Sequence, residues 1–311
     1  MSALRTKIRS LLKENKPSLS DSSLKTYAST LVQLYKNLTD DFSENTYDPS
    51  VLSNKKTVLK FLNDPDNKRN TPPKRKSILS SLVVLTEDET FRKEMNKDIE
   101  KYKDEIDKQE KTPAQKESWV TKEEIETKYK ELERFAKNWY RRNPKPSHSS
   151  FEDLQKVQNF IIVAILGGIY ISPRRSKDYV NFKIRNVNTE TDNYMERNSF
   201  IFNSFKGSDT KGQQRVQVPP KLRYIIEKWK QYNPTDHLLF NANFNPLSNV
   251  TLNQRLNHIF DNRKVAINQM RHTYLTELHK TKEFDTVVEQ KKVMKDMGSS
   301  VGMIPTYVKV N

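Results

Sequence analysis

Two arginines, a lysine beside a turn and a late tyrosine are the residues of this chain best suited to chemistry, and they fall in four separate segments. "ISPRRSKDYVNF" carries Arg174, Arg175 and Asp178. "FNSFKGSDTKGQQRVQVPP" places Lys206 just before a turn and Lys211 across it. "INQMRHTYLTEL" carries Arg271, with Asn268 one helical turn earlier on the same face. "MGSSVGMIPTYVKVN" carries Ser299 and Tyr307. A guanidinium is a planar fork that stays charged and matches phosphate or carboxylate oxygens in pairs. Arg271 sits beside an apolar stripe of Met270, Tyr274 and Leu278, so it either snorkels past a core or points into an anion pocket. Each residue alone has a plain reading: a turn lysine is usually solvated, a terminal tyrosine packs, and Arg174-Arg175 can be a simple phosphate clamp.

Other chemistries drop out on residue type and spacing. The five histidines include no HExxH pair, and the absence of cysteine removes thiolate metal sites and disulfides. Six glycines form no GxxxxGK[ST] loop, and no GxSxG elbow occurs. No metal and no nucleotide cofactor is expected. His272 follows Arg271 directly and therefore points about 100° away around the helix, which makes it a poor base and a structural histidine.

The elements that must position these residues read as mainly α with one small β region. In 311 residues, 55 Lys+Arg stand against 39 Asp+Glu, a net charge of +16 that favours a polyanion, nucleic acid first. A lysine- and asparagine-rich composition of this kind also arises without such a partner. The longest apolar run, residues 160–171, is too short to span a bilayer, and no apolar segment follows Met1 to act as a secretory signal. Residues 1–109 read as a basic helical module: a helix capped by Ser20-Asp21-Ser22, one after "DPS" through Leu62, one from Thr71 with Pro72-Pro73 in its first turn, and a charged one over residues 89–108. Residues 110–118, "EKTPAQKES", break the pattern as a linker. In residues 119–311, Thr121-Lys122-Glu123-Glu124 is a capping box opening a helix to about Arg142. Residues 143–150 are a loop, and residues 151–170 form the most buried helix, closed by Pro173. Val187, residues 200–205 and residues 215–218 are the expected strands, with "KGSDTKG" as a hairpin turn, before helices return from Pro220.

Taken in order, the four segments resemble the catalytic domain of tyrosine recombinases (integrases) over residues 119–311, and the module before it looks like that family's N-terminal core-binding domain. Arg175-Ser-Lys-Asp178 is similar to the family's Arg-x-x-Glu/Asp, which selects Arg175 over Arg174. "FKGSDTKG" looks like its β-hairpin lysine, "MRHTYLTEL" like its Arg-His-Thr-aromatic helix, and "MGSS" with Tyr307 like its Leu-Gly-His-Ser and tyrosine ending. The texture around "LNQRLNHIF" and "INQMRHTY" is closest to forms from eukaryotic DNA viruses and mobile elements. Two positions depart: Asn268 stands where the family usually has His, and Ser299 where it usually has His or Trp. Asn and Ser can hydrogen-bond a phosphate but cannot serve as a base near neutral pH.

The resemblance implies a catalytic set of Arg175, Lys206, Asn268, Arg271, Ser299 and Tyr307, with Lys211 in reserve. Tyr307 would form a 3′-phosphotyrosine link, the two arginines would hold the non-bridging oxygens, and Lys206 would protonate the departing 5′-oxygen. It implies double-stranded DNA as partner, a homotetramer on that DNA and a location wherever the DNA target is, with no membrane. Since only residues 308–311 follow Tyr307, either the family's assembly tail is absent, or contacts come from elsewhere, or Tyr307 is donated between subunits. A type IB topoisomerase-like nicking-closing enzyme and a catalytically inactive DNA-binding relative are the rival readings.

Overall fold

Capped amphipathic helices account for most of the chain. The computed structural model describes residues 2–41, 47–67, 71–146 and 150–310, so part of the expected 143–150 loop, including His148, lies outside the described residues. The chain forms two compact units, Met1–Lys108 and Gln109–Asn311.

The first unit contains α1 (Ala3–Asn15), α2 (Asp21–Thr39), α3 (Pro49–Ser53), α4 (Lys55–Asn63), α5 (Pro72–Thr86) and α6 (Glu89–Asp107). Ser20 caps α2 through a bond from the Ser23 N–H. The expected single helix after "DPS" is two, because Asn54 leaves helical geometry and caps α4 through the Thr57 N–H. Leu31, Leu34, Leu79 and Leu82 are fully buried between α2 and α5. Arg75 on α5 is the polar exception. Its Nε lies 3.0 Å from Asp98 Oδ2 on α6, and its Nη1 donates to Leu62 O at 2.8 Å, which ties three helices with one side chain.

The second unit begins with the expected linker, which carries a short helix of its own, α7 (Pro113–Ser118), held by a Thr112/Gln115 capping box. The Thr121/Glu124 capping box opens α8 (Lys122–Arg142). Every residue of α9 (Phe151–Leu166) from Val157 onward is buried, so this helix is the spine of the unit's core. It stops four residues short of the sequence expectation, at Gly167-Gly168 rather than near Pro173. Gly168 has φ +72°, and a Cβ there would meet the Tyr274 ring at 2.6 Å, so the turn and the close approach both require glycine.

After α10 (Ser176–Val180) comes a four-stranded sheet in the order β1 (Phe182–Lys183), β2 (Asn193–Glu196), β3 (Ser199–Phe202), β4 (Gln214–Gln217). β1 pairs with β2 in parallel; the other two pairings are antiparallel. Val187 is not in a strand; β1 escaped the sequence reading because it is two residues long, and β2 because its burial does not alternate along the strand. The connection from β3 to β4 is not a plain turn either: it contains a single helical turn, α11 (Ser208–Lys211). The remaining helices are α12 (Pro220–Tyr232), α13 (Asn249–Ile259), α14 (Ile267–Lys280), α15 (Val287–Asp296) and, after a short 3-10 turn, α16 (Ile304–Tyr307).

Candidate active site

Arg271 lies on the first half of α14, where Ile267, Met270, His272, Thr273, Leu275 and Thr276 are buried with it, so the helix is enclosed on more than one stripe. The Arg271 residue is 0 % exposed, yet none of Nε, Nη1 and Nη2 has a hydrogen-bond partner. Its Cζ stands 4.7 Å from the centroid of the Tyr307 ring. Burial pushes its pKa down from 12.5 to about 10, and the neighbouring Arg175 pushes the same way. Holding such a charge with no bonded counter-ion costs on the order of 3 kcal/mol. A folded chain keeps a cost of that size where an anion is meant to enter.

Arg174 and Arg175 both reach the carboxyl end of α15 but differ in burial and partners. Arg174 is fully buried: its Nε donates to Asp178 Oδ2 at 2.7 Å, its Nη1 donates to Asp296 O at 2.8 Å, and its Cζ lies 4.0 Å from the Phe202 ring centroid. It is therefore a structural bolt between α10, β3 and the carboxyl end of α15. Arg175, partly exposed, donates through Nη1 to Gly298 O, two residues further along the same turn.

Gly298 closes α15 in a Schellman arrangement: its N–H donates to Lys295 O at 2.9 Å and the Ser299 N–H to Met294 O at 2.8 Å. Its φ is +64°, and a Cβ would fall 2.6 Å from Arg174 Nη2. The same turn delivers Ser299, 8 % exposed, whose Oγ is buried without a partner. Lys211 reaches this turn from α11, with Nζ donating to Ser299 O at 3.3 Å.

Tyr307 ends α16 and is 4 % exposed, packed with Leu275, Phe284, Met294, Met297 and Val308. Its backbone is fixed at the carbonyl and just beyond it. His272 Nδ1 lies 2.9 Å from Tyr307 O, the Lys309 N–H donates to Thr276 Oγ1 at 3.0 Å, and the Val310 N–H donates to Gln109 O at 3.0 Å. A carbonyl only accepts, so Nδ1 carries the proton, and Nε2 is left to accept from Gln115 Nε2 at 3.4 Å. Burial lowers the pKa of this imidazole, and the nearby Lys309 and Arg271 lower it further, which keeps the ring neutral.

Arg175, Ser299 and Lys211 thus meet at the end of α15, and Arg271 meets Tyr307; the charges of Tyr307, Arg175, Asp178 and Arg174 all act on Arg271, which places the two groups close together. Two expected residues stand apart. Lys206 is exposed and, among the described residues, has no hydrogen bond or ion pair; Asn268 is exposed on the first turn of α14, likewise unbonded. In the sequence Lys206 came first by resemblance to the family's hairpin lysine, with Lys211 in reserve across the turn. Sequence reasoning missed the hold of His272 and Thr276 on the backbone around Tyr307, which only the approach of α16 to α14 creates.

No protein-family model matches the chain, and no curated protein matches its sequence. Solved structures do match. The chain is similar to a lambda integrase, solved as a dimer bound to a COC′ core site, with 12% identity, 99% of this chain and 95% of that chain covered, and a TM-score of 0.53. It is similar to the XerH site-specific recombinase bound to difH substrate in a pre-cleavage complex, with 14% identity, 98% and 92% coverage, and a TM-score of 0.53. The fold is that of the tyrosine recombinases, mostly helical with a small mixed sheet.

Proposed function

We propose that the chain is a site-specific DNA recombinase that cuts and rejoins duplex DNA through a 3′-phosphotyrosine link. The observation that carries this reading is Arg271: a fully buried guanidinium with three unbonded nitrogens, covered by a tyrosine ring. A core would not keep that group, whereas a scissile phosphate would use it. Arg175 supplies the second fork, close enough to Arg271 to depress its pKa.

The Arg271 Cζ stands over the Tyr307 ring, which sets the phenol beside the guanidinium that would hold the phosphate. The phenol gives up its proton to water, drawn by the positive field of the arginines, as its oxygen bonds to phosphorus; the bond to the 5′-oxygen breaks, and that oxygen takes a proton from a lysine. Arg175 and Arg271 bind the non-bridging oxygens, where charge gathers as phosphorus becomes five-coordinate. Ser299 Oγ, unpartnered and beside the same turn, donates a further hydrogen bond, and Asn268 serves the phosphate from the rim. Lys211, already at Ser299 O, is better placed than Lys206 to act as the acid. Double-stranded DNA is the partner, and a homotetramer is the working assembly.

A nicked suicide duplex tests this, because the short strand diffuses away after cleavage and leaves protein joined to DNA. Such duplexes, drawn from DNA flanking the coding sequence, give a covalent band with the parent chain and none with Tyr307→Phe, while affinity is unchanged. A band that survives Tyr307→Phe removes Tyr307 as nucleophile. Binding with no adduct on any nicked duplex points to an inactive relative, and relaxation of supercoils without site preference points to a nicking-closing enzyme.

A further inference from the structure

We infer that Asn193 is a positioning residue that sets the reach of the loop lysine into the phosphate site; the inference rests on the strand-transfer reading above. Asn193 opens β2 and is 2 % exposed. Asparagine is disfavoured in a buried strand position, where an aliphatic residue would add more stability. Here its side chain uses its whole bonding capacity, two bonds given and two accepted. Nδ2 donates to Asp178 O at 2.9 Å and to Ser204 O at 2.8 Å, while Oδ1 accepts from the N–H groups of Asn203 and Ser204, both at 2.8 Å.

These four bonds join two particular pieces of chain. Asp178 lies three residues after Arg175 on α10, and its carboxylate fixes Arg174. Asn203 and Ser204 begin the connection that carries Lys206 and Lys211. Asn203 extends the clamp, donating through Nδ2 to Asp192 O at 2.8 Å and accepting from Gln213 Nε2 at 2.8 Å, so both feet of the connection are tied together. Between those feet the loop presents Lys211 to Ser299 O. Asn193 therefore fixes the distance between the element bearing the arginine fork and the loop bearing the acid. A misplacement of about 1 Å in such a group can cost roughly a hundredfold in rate.

The test separates positioning of the acid from general damage. With an ordinary phosphodiester, the 5′-oxygen leaves only as it takes a proton from lysine Nζ. With sulfur in the 5′-bridging position, the thiolate leaves without one. Asn193→Ala is expected to lower single-turnover cleavage of the ordinary nicked duplex by roughly ten- to a hundredfold. Its affinity stays at the parent's value, and it cleaves the 5′-thio duplex within about twofold of the parent. Asn203→Ala, at a half-exposed position, shows the same pattern more weakly and decides the matter if Asn193→Ala does not fold. Equal losses on both duplexes, or no loss on either, overturn the clamp alone. A parent that forms no adduct on either duplex overturns the functional reading and the clamp with it.

Discussion

A guanidinium with no hydrogen bond, enclosed by its own protein, is the sharpest feature at the scale of single residues. Arg271 is a buried charge that no hydrogen bond offsets, and under the proposed chemistry it holds the scissile phosphate, so Arg271→Met is expected to cut cleavage by about a hundredfold or more. The same variant should leave the folding free energy equal to or above the parent's, because an apolar chain of similar length removes an unpaired buried charge. Chemical denaturation measures this, and a loss greater than about 1 kcal/mol would mean that Arg271 is structural after all. His272 gives a pH signature. Its native pKa lies below the ordinary 6.5, so as pH falls below 6.5 the unfolded chain takes up a proton that the native ring refuses. Stability due to this group is therefore whole above pH 6.5 and lost progressively below it, down to the lowered native pKa. Denaturation midpoints of parent and His272→Gln should converge as pH drops through that window; parallel curves would contradict a buried neutral imidazole. The arginines stood out in sequence because Arg-x-x-Asp at Arg175 and Arg-His-Thr-aromatic at Arg271 are both local patterns. The choice between Lys206 and Lys211 was not, since it depends on how an eleven-residue connection folds back. Asn193 was invisible because its partners lie up to 15 residues away on both sides.

Elements fix how far those residues can stray. The end of α15 is the joint of the site: Arg174 caps its carbonyls, Arg175 takes Gly298 O, and Ser299 and Lys211 meet one residue later. Gly298→Ala sets a side chain both in the left-handed region and against Arg174 Nη2, so a loss of about 1–3 kcal/mol is expected, with cleavage falling further than binding. A variant as stable and active as the parent would show that the turn does not constrain the arginines. In the first unit, Asp98→Ala strands Arg75 in the core and should cost about 3–5 kcal/mol, read from that unit's unfolding transition. An unchanged transition would mean that the pair is solvated in solution. Helix starts were readable from Ser20, Thr121 and the Pro72-Pro73 pair, where capping chemistry is confined to four residues. The end of α9 was not, because Gly167-Gly168 allows a turn that only the packing of Tyr274 makes necessary.

Over the whole molecule, an excess of 16 positive charges means that the proposed duplex binding would begin with phosphate neutralisation before any base is read. Affinity should fall at least tenfold between roughly 50 and 200 mM salt, measured by fluorescence anisotropy; a flat salt response would remove the polyelectrolyte contribution. The fold class was legible because long capped helices and a single aromatic-rich β region leave few architectures. The order of its four segments carried the family resemblance that composition alone could not. In the proposed function, what joins charge, fold and site is a covalent bond between one phenol and one phosphorus. The most direct measurement is therefore to digest the trapped protein–DNA complex and identify the linked residue by mass spectrometry. A single modified peptide bearing a 3′-nucleotide on Tyr307 is the expected result, and a nucleotide on any other side chain would contradict the account.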